Sequence, residues 1–245
     1  MEYGEYIDSD YENYLVKCPF CLKELVFNRR EDLLTFEPIV RKEVECLNTE
    51  CKQSFRLKND TVNLASELFL QEAERCFSQK KYMMAVVLST QAIESFFSLF
   101  LKVQLTIKPF CDPLNLDGSN HVLHKYTKVT KSFPYKKMSN TVVSYLYHYE
   151  KLSSVNEITC FIDSCKGNVK KTNFPIDSNI QSIIDLLNKE EISTLRNKVA
   201  HKMAYRPTRE EADYAIDYAF EVICKLQNKF KVNSDKFSYY QASYL

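Results

Sequence analysis

The chain has 245 residues, with 33 Lys and Arg against 32 Asp and Glu, for a formal net charge of +1. A total so close to neutral excludes a uniformly basic or acidic surface, so local contrasts in charge have to identify any partner. Its three glycines, Gly4, Gly118 and Gly167, stand alone, which excludes the glycine-rich phosphate loops of P-loop and dinucleotide-binding folds. Hydrophobic residues make up 45% and charged residues 27%, ordinary proportions for a soluble globular chain with a sizeable core. Met1 to Asp10 is acidic and lacks the apolar run of a secretory leader, so a cytoplasmic protein is expected. In that reducing compartment nine cysteines point to metal binding before disulfides.

The length accommodates a main domain with a small companion, read as residues 1–60, including the acidic tail, and 61–245. Short β-favouring runs occur at Tyr14 to Val16, Leu25 to Phe27, Ile39 to Val44 and Ser54 to Leu57, and they predict a small β module. From Thr61 the spacing of Ala65, Leu68, Phe69, Ala73, Cys76 and Phe77 predicts a helix to about Gln79. A second helix, Tyr82 to about Gln104, is apolar nearly all round and should sit at the centre of the packing. Its apolar stretch is long enough to span a bilayer, but Gln91 and Glu94 near the middle favour a buried core helix and no membrane partner.

Residues 106–175, broken by Pro109, Pro113, Gly118, Pro134 and Gly167, read as a variable insert with helical candidates at His121 to Lys131 and Lys136 to Leu152. Ser178 with Gln181 predicts a capping box opening a helix whose apolar face is Ile180, Ile183, Ile184 and Leu187. The pattern resumes with Ile192, Leu195, Val199 and Met203, and Pro207 should end it. Thr208 and Glu211 then cap a last helix with Ala212, Ala215, Ile216, Ala219, Ile223 and Leu226 inward.

Two close cysteine pairs, Cys18 with Cys21 and Cys46 with Cys51, flank strand-like sequence. Such spacing lets two short loops present four thiolates to one tetrahedral zinc, and the module resembles a zinc ribbon. Four protein ligands leave no open coordination position, so the zinc would be structural. Basic residues such as Lys17, Lys23, Arg29 and Arg30 are largely offset by Glu24, Glu31, Asp32 and Glu37, leaving RNA contact and protein contact equally open for this module. A second metal site from Cys160 and Cys165 with Cys111 or His124 is the weaker alternative to buried structural thiols.

Arg196, Asn197, Lys198 and His201 lie late in a helix whose Leu195 and Val199 face inward. On an α-helix Asn197 and His201 share a face, whereas Arg196 lies about 140° round from His201. One helix alone does not make the pair converge, so a second helix or a second subunit has to complete any site they form. Arg196, Lys198, Lys202, Arg206 and Arg209 follow one another with no acidic residue between Ile192 and Arg209, a patch suited to a polyanion. The plainer alternative is that an Arg and a His near a helix end serve as partners of its dipole.

Arg196, polar Asn197, three further residues and His201 resemble the motif of HEPN domains, a helical family containing many RNA-cutting enzymes. The run AVVLSTQAIESFFSLFL from Ala85, with Glu94 within it, is similar to the central helix of that family. The resemblance covers roughly residues 61–104 and 178–230. It implies a mainly α protein, a HEPN-like helical bundle behind the small β zinc-ribbon module. It further implies metal-independent cleavage, by attack of a ribose hydroxyl on the neighbouring phosphate, at a site shared across a homodimer. Arg196 would stabilise phosphate charge, His201 would move protons, Asn197 would orient them, and Glu94 would support Arg196 as a structural partner. Lys198, Lys202, Arg206 and Arg209 would bind RNA. No cofactor would serve catalysis, and an antitoxin or defence-system protein is the implied partner, by family analogy alone. In the branch controlled by a nucleotidyltransferase antitoxin a Tyr stands two residues after the His, where this chain has Met203; Tyr205 comes two positions late. The non-catalytic alternative is a module of the same fold that binds RNA, nucleotide or protein. Tyr3, Tyr6, Tyr11 and Tyr14 in front, with Tyr239, Tyr240 and Tyr244 behind, read as ends that pack on the domain.

Overall fold

The computed structural model describes residues 4, 7, 12–35, 39, 41–58, 64–111, 113–165, 177–189, 191–202 and 205–230. Met203, the three foremost and three hindmost tyrosines, and the opening of the first helix at Thr61 lie outside the described residues. Contacts divide the chain into two compact units, residues 1–63 and 64–245.

The first unit is built from two antiparallel hairpins. Strand β1 (Asn13–Lys17) pairs with β2 (Glu24–Asn28), with Leu15 opposite Val26. Strand β3 (Arg41–Glu45) pairs with β4 (Ser54–Lys58), with Glu43 opposite Arg56. Cys18, Leu25, Phe27, Leu33, Ile39, Cys46, Phe55 and Leu57 form its buried cluster. That core is too small to hold a fold of this size comfortably by itself, so the cysteines within it carry extra weight.

The second unit is a bundle around α2 (Tyr82–Lys102), which packs against α1 (Ala65–Ser78), α4 (Tyr135–His148), α7 (Glu191–His201) and α8 (Arg209–Lys229). Ala85, Val86, Ala92, Ile93, Phe96, Phe97, Phe100 and Leu101 of α2 are fully buried. The hydroxyls of Ser89 and Thr90 are also buried, and they donate to carbonyls one turn back, Ser89 to Ala85 at 2.8 Å and Thr90 to Val87 at 2.7 Å. Their polarity is thereby satisfied inside the core. The segment Tyr82–Phe110 has the length and composition to cross a membrane, yet 56% of its most apolar window is buried, as a central bundle helix requires.

Beyond Lys102 the helix widens through a π-helical turn, Val103–Ile107, and ends in a short 3-10 turn, Lys108–Phe110. Helices α3 (Leu116–Thr130) and α5 (Val155–Ser164) pack on each other. The stretch read as an insert is woven into the main core: Val122, Tyr126, Met138, Val142, Leu146, Ile158, Phe161 and Ile162 belong to the same buried cluster as α2. Helix α5 was absent from the sequence reading; Ser154 opens it with a capping box to Glu157.

Helix α6 (Ser178–Leu187) begins one residue earlier than the predicted cap. Asp177, not Ser178, takes the cap position and accepts from the Asn179 N–H at 2.9 Å. The predicted Thr208 and Glu211 box does form: Thr208 Oγ1 accepts the Glu211 N–H at 3.2 Å, and Glu211 accepts the Thr208 N–H at 2.9 Å. Helix α7 stops at His201, well before Pro207.

These helix starts make the unit acid-sensitive. The Ser154 hydroxyl holds Glu157 below its ordinary 4.5, the Lys229 ammonium holds Asp177 below 3.8, and the Tyr205 hydroxyl holds Glu211 below 4.5. Each carboxylate therefore stabilises the fold above its ordinary value, and the contribution disappears as pH falls through its lower folded value. The thermal midpoint of the helical unit, followed by circular dichroism, should decline as pH is taken from about 5 to about 3. A midpoint constant over that range would contradict this assignment.

Candidate functional site

Two constellations emerge, one in each unit. In the first, each cysteine pair occupies the turn of its own hairpin, Cys18 and Cys21 between β1 and β2, Cys46 and Cys51 between β3 and β4. The sequence reading had one intervening hairpin returning the second pair to the first; instead the two hairpin tips meet. The turns are built alike. Cys18 N–H donates to Lys23 O at 2.9 Å and Cys46 N–H to Gln53 O at 3.0 Å, and the residue after each second cysteine is left-handed, Leu22 at φ 59° and Lys52 at φ 47°. Such backbone is costly for a residue with a side chain, and both turns hold it in the same place.

The four sulfurs lie within 4.8 Å of one another, with Cys18 to Cys51 at 4.0 Å and Cys21 to Cys46 at 3.8 Å. A tetrahedral ion with metal–sulfur bonds of about 2.3 Å needs sulfurs about 3.8 Å apart, so the donor set fits a metal ion such as zinc. Burial pushes the Cys46 thiol up, while the Lys23 backbone N–H pulls the Cys21 thiol down. With Cys18 and Cys46 buried, the cluster has the closed character of a structural site. Among the described residues no second group of this kind is found; Cys111 and Cys160 are exposed and Cys165 is buried.

In the second unit α7 lies against α2, which places Arg196 beside Glu94: Arg196 Nη2 stands 3.7 Å from Glu94 Oε1. Glu94 is further held by Gln91, whose Nε2 donates to Oε2 at 2.9 Å. The Arg196 and Glu94 side chains are 33% and 25% exposed, so the pair sits at the edge of the bundle, within reach of solvent. At that separation it is an ion pair, not a close hydrogen bond. A pair so placed is worth at most about 1 kcal/mol. Arg196→Ala, Glu94→Gln and the double variant should therefore show non-additive melting temperatures, with the double variant no less stable than Arg196→Ala. Strict additivity would mean that the two residues are uncoupled.

His201 is the last residue of α7 and is exposed, as is Asn197 one turn before it. Among the described residues no side-chain hydrogen bond or ion pair joins either of them to Arg196. The remaining predicted cations gather around Tyr205. Lys198 Nζ lies 5.4 Å from the centre of the Tyr205 ring, and Arg206 Nη1 donates to the Tyr205 carbonyl at 2.9 Å. The Tyr205 hydroxyl donates to Glu211 on α8. Lys202 is exposed, and the Arg209 guanidinium sits 5.7 Å from the Phe77 ring centre. The basic patch is thus organised by Tyr205, to which the sequence reading gave no role. Its position between Lys202 and Arg206 was the available signal.

The fold and these sites define a mainly helical protein that follows a small β region with a four-cysteine cluster. No family model matches the chain, and neither the curated proteins nor the solved structures compared with it gave a match.

Proposed function

We propose that the protein is a metal-independent endoribonuclease of toxin or antiviral-defence type, with zinc in the four-cysteine cluster as a structural ion. The carrying observation is the Arg196–Glu94 pair, which fixes the guanidinium at the edge of the bundle beside a helix end bearing exposed His201. The HEPN resemblance supplies the chemistry. A 2′-oxygen attacks the adjacent phosphorus, the bond from phosphorus to the 5′-oxygen breaks, and the products are a cyclic phosphate and a free 5′-hydroxyl.

The proton of the attacking hydroxyl passes to one imidazole, and the leaving oxygen takes a proton from another acid. Imidazole exchanges protons near neutral pH, and His201 with the partner subunit's His201 would supply both groups in a homodimer. Arg196 offsets charge that builds on the phosphate, and Asn197, four residues before His201, orients it. Lys198, Lys202, Arg206 and Arg209 hold the flanking phosphates. The biological setting, and with it an antitoxin or defence-system partner, rests on the family resemblance alone.

A second reading, a non-catalytic RNA-binding module of the same fold, is favoured by the engagement of Arg196 with Glu94, which draws the guanidinium away from any phosphate. Incubating the protein with mixed single-stranded RNA without added divalent cation separates the two. Fragments ending in cyclic phosphate support the nuclease; binding without fragments supports the module.

A further inference from the structure

Helix α2 is apolar nearly all round, yet Gln91, Glu94, Ser98 and Lys102 recur along it at three- and four-residue intervals and form one polar stripe. The stripe starts at the Arg196 pair and runs into an open cleft of about 500 Å³. Glu94, Ser98 and Lys102 make one side of this cleft; Tyr126, Thr127, Thr130 and Lys131 of α3 make the other, and Phe133 and Met138 close it. Its size falls in the range of about 300 to 1,000 Å³ that small ligands occupy.

The chemistry of the lining is divided. Phe133 and Met138 offer an apolar wall, and the Lys137 ammonium sits 4.7 Å from the Phe133 ring centre, adding positive charge behind it. Two ammonium groups, Lys102 and Lys131, stand against a single carboxylate, and that carboxylate already faces Arg196. Burial lowers the Lys102 pKa, the direction expected of an ammonium that lacks enough compensating negative charge. The Ser98 and Thr127 side chains are exposed and present hydroxyls. The Tyr126 hydroxyl is turned away to the Ser98 carbonyl at 2.9 Å and the Thr130 hydroxyl to the Tyr126 carbonyl at 2.9 Å, which leaves Ser98 and Thr127 as the neutral donors of the cleft.

We infer that this cleft is a nucleotide subsite: it takes one nucleotide of a single-stranded RNA, with the base on the Phe133 and Met138 wall and the adjoining phosphate on Lys102 and Lys131. A flat apolar wall joined to a cationic rim is the combination by which single strands are bound without reading sequence. Because Glu94 belongs both to the cleft and to the Arg196 pair, the nucleotide held here is next to the strand segment that crosses Arg196. The inference rests on the proposed RNA substrate, but not on its being cut.

The test uses the full chain and a fluorescent single-stranded oligonucleotide carrying 2′-O-methyl groups, which no 2′-hydroxyl attack can cleave. Lys131→Glu reverses an exposed charge, and Ser98→Phe fills the cleft from an exposed position. Each should weaken binding about tenfold, with an unchanged melting temperature. A 4-thiouridine in the same oligonucleotide should cross-link to the peptide spanning α3 and the start of α4. Unchanged affinity in both variants, or cross-links confined to other peptides, overturns the inference. Cleft-dependent binding by a protein that leaves an all-ribose strand intact supports the subsite and removes the nuclease reading; cleavage with cleft-independent binding does the reverse.

Discussion

Replacement of His201 by alanine should lower the rate of RNA cleavage about 10²- to 10⁴-fold, the range expected when a positioned general acid or base is lost. The residue is exposed at the end of α7 and supports no buried packing, so the melting temperature should stay near that of the unaltered protein. That separation matters, because a variant that lost activity by unfolding would say nothing about chemistry. Arg196→Ala should cost about 10²- to 10³-fold if the guanidinium offsets charge developing on phosphate. It should also lower stability slightly, through loss of the Glu94 pair. Lys202→Ala should behave differently from both: weaker binding on every sequence, with a reduced salt dependence and a nearly unchanged rate at saturating RNA. Mixing Arg196→Ala with His201→Ala adds a further measurement. In a site shared across a dimer, heterodimers regain one intact half from each chain, and activity above that of either variant alone would support the composite site. Cleavage undiminished in His201→Ala overturns the assignment.

How much of this was legible in the sequence depended on how local the determinant is. The cysteine spacing fixed the ligand set because a turn of two to four residues can hardly do anything but point two thiols the same way. The meeting of two hairpin tips was not legible, since it depends on the β1–β2 and β3–β4 pairings. Helix α2 was clear from its apolar run, and α8 from its cap and its inward face. Helix α5 was overlooked although Ser154 and Glu157 carry the same cap chemistry as Thr208 and Glu211. The prolines and glycines between Pro109 and Gly167 drew the stretch toward a loop reading, while Ile158, Phe161 and Ile162 were in fact core residues.

The start of α6 was ambiguous because Asp177 and Ser178 are both good caps, and only the backbone decides which side chain faces the free N–H groups. Pro207 misled in the other direction. A proline forbids helix at its own position but sets no lower limit on how early the helix ends, and here the chain leaves α7 at His201. That earlier end is what leaves the imidazole at the terminus, facing solvent. The partnership of Glu94 with Arg196, more than a hundred residues apart, came from the family resemblance, not from spacing. The polar stripe on α2 could have been read from Gln91, Glu94, Ser98 and Lys102, but its destination needed α3.

Removal of the metal ion should unfold the first unit and leave the second folded. The two units are compact in their own right, so the helical signal should survive chelation while amide protection in β1–β4 is lost. The size of the effect follows from how little else holds the hairpins. Eight residues form their buried cluster, two of them cysteines of the metal site, and removing the ion leaves the Cys18 and Cys46 thiols in a core too small to compensate. Structural zinc in modules of this kind contributes roughly 10 to 16 kcal/mol of apparent folding free energy at neutral pH, more than a core of that size supplies. Metal analysis should find about one zinc per chain. Cys46→Ser should abolish binding, whereas Cys111→Ser, which changes an exposed thiol outside the cluster, should leave it intact. The pH dependence has a definite sign. Burial raises the Cys46 thiol, so in the metal-free protein it holds its proton at neutral pH, and zinc has to displace that proton. Affinity should therefore fall as pH is lowered, with protons released on binding. A chain that keeps its hairpins protected in excess chelator would show that the four cysteines pack as ordinary core thiols.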